Sequence, residues 1–205
     1  MGCSATKTLT LKKGSVLTEI TKKARGDRVG SPNDQDTNGD AIQEKEELDP
    51  RLPMTARQQY GITKSWKAIS RNMTKTSINM FVRLFETNTE VWDLFATFKD
   101  LETVSDLREN RSLENHAMMV MCTIDETITN LDDLDYVIDM LQRVGKTHTR
   151  FQKFRADLFW KIEEPFLLAI KETLGDRYTV SMEFTYKRTI RFIVENLSQG
   201  FKKQD

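Results

Sequence analysis

The chain has 205 residues, 38% hydrophobic and 30% charged, with 31 Lys and Arg against 31 Asp and Glu. That length supports one buried core with extensions rather than two full domains, and the composition is that of a globular chain rather than a membrane-embedded or wholly disordered one. The balanced charge lacks the basic excess of a nucleic-acid binder, so no nucleic-acid partner is expected.

Residues 1–30 form a tail that opens Met1-Gly2-Cys3-Ser4-Ala5-Thr6, the pattern for myristoylation of Gly2 once Met1 is removed. One myristoyl chain holds a membrane only marginally, so the pattern needs a second signal. Two are present. Cys3 is placed for palmitoylation, and Lys7, Lys12, Lys13, Lys22, Lys23, Arg25 and Arg28 outweigh Glu19 and Asp27, giving a stretch that attracts anionic lipid. The expectation is acylation of Gly2 and Cys3 and attachment to the cytoplasmic face of the plasma membrane. No apolar run approaches the roughly 20 residues of a membrane-spanning helix, so that contact is expected to be peripheral. With no signal-peptide core ahead of Cys3, and Cys122 far away in unlike sequence, reduced thiols in an intracellular compartment are expected.

Residues 31–54 read as a flexible acidic linker, rich in Ser, Asn, Asp, Gly and Glu. Within it Asp34, Asp36, Asn38 and Gly39 imitate the start of a calcium loop, but Lys45 stands at the twelfth position, where a bidentate carboxylate belongs. Calcium binding is not expected there.

From Thr55 onward the pattern is helical. Thr55 and Gln58 make a capping box after Pro53, followed by Ile62, Trp66, Ile69 and Met73 at helical spacing. Ile78, Phe81, Val82 and Phe85 mark a second helix, and the aromatic run Val91–Phe98 reads as a turn packed on the core. Leu113, Ala117, Val120, Ile124, Ile128 and Leu131 define one face of a long helix that also carries His116. Leu134, Val137, Ile138, Leu141 and Val144 lead one turn further to His148. Two more helices run through Leu158–Thr173 and Met182–Phe201, with Pro165 expected to kink the first at a cost of about 3 kcal/mol. Nothing alternates as a strand does, so residues 55–200 are expected to be all-α, with a short tail at 201–205.

The only two histidines therefore lie on apolar faces of consecutive helices. As residue types they admit two readings. They are hydrogen-bonded core residues, or they are neutral imidazoles facing one apolar space, which suits the axial positions of an iron porphyrin. Zinc is less attractive, because Cys122, six residues from His116, falls off its face. Cys122 has no neighbouring base and reads as a small packing residue.

Over nearly all of residues 55–200 the sequence resembles the globin family. Trp66 stands at the first-helix tryptophan, Phe81 at a residue overhanging the distal pocket, and Phe95 with Phe98 at the corner that stacks on haem. His116, 21 residues after Phe95, stands at the distal histidine, with Val120 at the distal aliphatic position. Val144-Gly145-Lys146-Thr147-His148 resembles the end of the proximal helix, and Ile162 stands at a haem-packing position. The tail is similar to that of the membrane-associated invertebrate and globin X-like branch.

The resemblance implies a 3-on-3 helical sandwich with an N-terminal disordered extension. It implies heme b as cofactor, with His148 as proximal and His116 as distal metal ligand and Phe81, Phe95, Phe98, Val120, Val144 and Ile162 as cofactor-binding residues. Departures are Thr89 in place of a helix-starting proline, Met119 where a basic residue often meets a propionate, and a His116-to-His148 interval of 32 residues, longer than in myoglobin-like chains. An insertion between the two histidine helices is expected.

The implied function is a membrane-tethered globin that binds oxygen or another diatomic ligand, or transfers electrons from a reductase, in redox or oxygen signalling. A haem enzyme, such as a nitrite reductase, nitric oxide dioxygenase or peroxidase, is the alternative, and a haem-free helical adaptor a lesser one. No catalytic residue is assigned.

Overall fold

In the computed structural model, which describes residues 48–95 and 103–203, every regular element among the described residues is an α-helix or a 3₁₀ turn. Thr55 caps α1 (Ala56–Ser70): its hydroxyl accepts from the Gln58 N–H at 3.2 Å, and the Gln58 side chain accepts from the Thr55 N–H at 3.0 Å. The predicted box therefore forms and satisfies two donors at the helix start. Ile62, Trp66 and Ile69 are buried as their spacing requires. Met73, read as the end of that stripe, instead opens α2 (Met73–Thr87) after a break at Arg71 and Asn72.

α2 buries Met80, Phe81 and Phe85, and the one-turn α3 (Thr89–Trp92) follows it. α4 (Val104–Leu107) precedes α5 (Arg111–Thr129), which Asn110 caps by accepting from the N–H groups of Ser112 and Leu113. α6 (Leu134–Thr147) begins after only Asn130–Asp133, and the Asp133 carboxylate accepts from the Tyr136 N–H at 3.1 Å. The expected insertion between the histidine helices is therefore not a loop; the interval is taken up by helix on both sides of a short capped turn.

The predicted helix through Leu158 is two elements. A 3₁₀ turn spans Ala156–Ile162, and α7 (Glu163–Leu174) starts after it. Pro165 is the third residue of α7, where a backbone N–H has no partner within the helix, so the expected kink and its cost do not arise. After a positive-φ glycine, Gly175, α8 (Val180–Lys202) closes the described chain, capped by the Thr179 side chain.

α2 packs between α5 and α7, while α8 lies against α6, α7 and the 156–162 turn. The α6–α8 crossing is close enough that a Cβ on Gly145 would stand 2.0 Å from the Leu197 carbonyl oxygen, and one on Gly200 would stand 2.1 Å from that of Gln142. Two glycines thus interlock the helices. The core they close includes Trp66, Phe85, Phe166 and Tyr186, each virtually excluded from water. A buried side chain of this size contributes about 1.5–3 kcal/mol.

The packed unit extends beyond 55–200 at both ends. Leu52 and Met54 are buried, and the Pro53 carbonyl accepts from Arg188, so the end of the segment read as linker is fastened to α8. Phe201 stacks near Phe154 and Phe159, so the start of the segment read as a tail is helix. Cys122 is half-buried and disulfide-bonded, which corrects its reading as a reduced packing residue. Gly2, Cys3, the calcium-like stretch 34–45 and Phe98 lie outside the described residues.

Candidate cofactor site

His116 is positioned by α5, one residue from buried Ala117 and one turn from half-buried Val120. The Phe81 ring stands edge-on at 5.3 Å between centroids and the Phe95 ring at 5.2 Å. Neither ring nitrogen of His116 has a hydrogen-bond partner among the described residues. Burial first, and the nearby His148 second, push its pKa down to about 4. It is a neutral imidazole with an unused lone pair.

His148 is held differently. It sits at the C-terminal cap of α6 with its Nδ1 3.0 Å from the Val144 carbonyl oxygen, one turn earlier. A carbonyl can only accept, so Nδ1 carries the proton and Nε2 presents its lone pair. Thr147 Oγ1 donates to the same carbonyl at 2.7 Å. Phe154 and Phe159 pack on the ring, each 4.9 Å away between centroids. Burial lowers the His148 pKa, the Val144 bond opposes that, and Arg150 adds to the lowering.

Both imidazoles line one cavity of about 410 Å³, within the range of sites that enclose small cofactors. Phe81, Phe95, Val120, Val144 and Ile162 line it too, so every site residue expected from the sequence and falling within the described residues is brought to one place. Sequence reasoning missed Phe151, Phe154, Phe159 and the α8 wall of Ile193, Val194 and Leu197. The spacing of Ile193, Val194 and Leu197 marks them only as inward-facing, a signal that a core and a cavity wall share, and Phe151 and Phe154 lie outside any helical period. The lining is mostly apolar and, among the described residues, includes no carboxylate. The exposed Met119 and Phe151, at 62% and 48%, mark an open rim.

These features fit an iron porphyrin. A flat apolar macrocycle would be buried by the walls, a carboxylate-bearing edge could face the rim, and two neutral imidazoles with unused nitrogens match axial ligation. A smaller metal site is less well served, since no group of three or more His, Cys, Asp or Glu that could hold an ion occurs among the described residues.

Comparison with known proteins agrees with the fold. The family model described as Globin matches residues 78–197. A neuroglobin of Dissostichus mawsoni is 28% identical over 139 residues, covering 68% of this chain and 87% of that protein. A cytoglobin-1 of Oryzias latipes is 30% identical over 135 residues, covering 66% of this chain and 74% of its own. Among solved structures, the crystal structure of a hexacoordinated heme protein from an anhydrobiotic tardigrade, determined at pH 4, superposes with a TM-score of 0.72. It is 34% identical and covers 76% of this chain and 99% of that one.

Proposed function

Because this chain belongs to the globin family, we propose that it holds heme b between His116 and His148 and acts at a membrane in reversible gas-ligand binding or electron transfer. The observation that carries this reading is the pair of neutral imidazoles facing one apolar cavity, one of them with its proton fixed on the nitrogen that points away from ligation. The hexacoordinated state named for the tardigrade protein supports the same reading of His116.

Haem supplies an iron that binds diatomic ligands and exchanges single electrons. The chain's own residues decide which of these is favoured. His148 would hold the iron through Nε2, with its ring oriented by the Val144 carbonyl. His116 would also be available to the iron, so an external ligand would compete with an internal imidazole. Phe81 and Phe95 flank His116 with rings rather than donors, which does not favour tight retention of oxygen. The described lining is mostly apolar and carries no carboxylate, so acid–base chemistry beside a bound ligand would fall to His116 itself.

The test is carbon monoxide binding after rapid reduction. Wild-type protein is expected to show a slow phase whose rate is independent of ligand concentration, set by release of His116, and His116→Leu to lose it. A single fast, concentration-proportional phase in both proteins would remove the competing-ligand reading.

Membrane attachment rests on Gly2, Cys3 and the basic tail. Acylation of Cys3 requires its thiol to be free. Gly2→Ala is expected to move the protein from the membrane to the soluble fraction of cells, and unchanged fractionation would count against the tether.

A further inference from the structure

α1 contains no Asp or Glu. Its solvent side carries Arg57, Tyr60, Lys64, Lys67 and, at its C-terminal cap, Arg71. Steps of three and four residues hold these five on one stripe, about 80° wide at 3.6 residues per turn. Ile62, Trp66 and Ile69 point the opposite way, into the core. All five stripe residues are exposed, Tyr60 to 66%, and none of the four cations is in an ion pair with another described residue. Some exposed cations on other elements do find carboxylates, as in Arg83–Glu172, Arg191–Glu163 and Lys161–Glu90.

A second aromatic adjoins the start of this helix. Arg188 donates to the Pro53 carbonyl, three residues before α1, and its guanidinium lies 4.7 Å from the centroid of Phe184, which is 53% exposed. Lys64 stands over Tyr60 at 5.6 Å in the same manner. Cations held beside exposed rings are the combination favoured at a lipid headgroup boundary, where the charge meets anionic lipid and the ring enters the interface.

We infer that the outer stripe of α1, with Phe184 beside it, docks on an anionic lipid surface and fixes how the domain faces the membrane. The occupant follows from charge complementarity and from continuity of the chain: the tail with the proposed acyl sites and seven further cations is joined through the acidic segment 31–54 to the start of α1. A tether alone leaves the domain free to turn; a second, domain-borne contact does not. This inference rests on the membrane reading for its biological setting, but its chemistry is tested without acylation.

The test uses full-length, haem-loaded, non-acylated protein and co-sedimentation with vesicles of phosphatidylcholine alone or with phosphatidylserine added. Wild-type protein is expected to sediment with the anionic vesicles only, and Lys64→Gln/Lys67→Gln to bind them on the order of tenfold more weakly, with unchanged visible spectrum and thermal midpoint. Tyr60→Ala and Phe184→Ala are each expected to weaken binding further at a salt concentration that screens the cations. Equal binding by wild type and the double variant, with loss only when the tail cations are replaced, would overturn the inference. So would failure of wild type to distinguish the two vesicles, which would leave an acidic protein as the stripe's candidate partner. Release of Gly2→Ala from cell membranes reports on the tether separately, so either reading can fail alone.

Discussion

His116 enters the folded state as a neutral group and is held there by what surrounds it. Two phenyl rings and a second imidazole leave its cation without solvent or counter-charge, and its pKa falls from the usual 6.5 to about 4. In the unfolded chain the same ring titrates near its ordinary value. Between those two values the unfolded state binds the additional proton, so apoprotein stability is unaffected above about pH 7 and declines as pH falls from about 6.5 to 4. For His116 alone the decline amounts to about 3 kcal/mol, and the lowered pKa of His148 acts in the same direction. Urea titrations of the haem-free protein across this range check it: His116→Leu is expected to flatten the acid limb, and an unchanged slope would mean that the folded cavity accepts the charged ring.

At the scale of the helices, the crossing of α6 and α8 controls the placement of His148. Gly145 lies three residues before it, and the missing Cβ lets the α8 backbone approach at Leu197. Gly145→Ala places a methyl group against backbone rather than against a movable side chain, so the helices must separate. A loss of about 1–3 kcal/mol is expected, read as a lowered denaturant midpoint together with a changed visible spectrum of the haem-loaded protein. Gly200→Ala acts at the same crossing, and its effect is expected to combine with that of Gly145→Ala non-additively.

These glycines also show what the sequence could and could not reveal. Apolar stripes locate the inward faces of α1, α2, α5, α6 and α8 because hydrophobic period and burial share one cause. A close crossing leaves no such period, since a glycine that admits a neighbouring backbone looks like one at any exposed position. Pro165 was misread for a related reason. Whether proline breaks a helix or begins one depends on where the first turn lies, and the preceding 3₁₀ turn at Ala156–Ile162 has no distinct hydrophobic signature.

For the whole molecule, long-range order decides the site. His116 and His148 come from helices joined by a four-residue turn, yet they face one cavity because α5 packs on α2 and α6 packs on α8, and the walls of all four elements close around it. The histidines, Phe81, Phe95, Val120, Val144 and Ile162 were legible from family spacing, because that spacing encodes helix lengths and crossings together. The α8 wall was not, because inward-facing apolar residues carry no mark of whether they meet protein or cofactor. The fastening of Leu52–Met54 to α8 was equally hidden, its three residues being too few to establish a period.

The central claim is that two imidazoles hold one haem, and the visible spectrum of the anaerobic ferrous protein tests it most directly. Full-length protein loaded with haem is expected to give sharp low-spin bands, and His116→Leu to give a broad high-spin spectrum with haem still bound through His148. A broad high-spin spectrum in both proteins would contradict ligation by His116 and return the cavity to an open distal site. Absence of any Soret band after haem addition would contradict the cofactor itself.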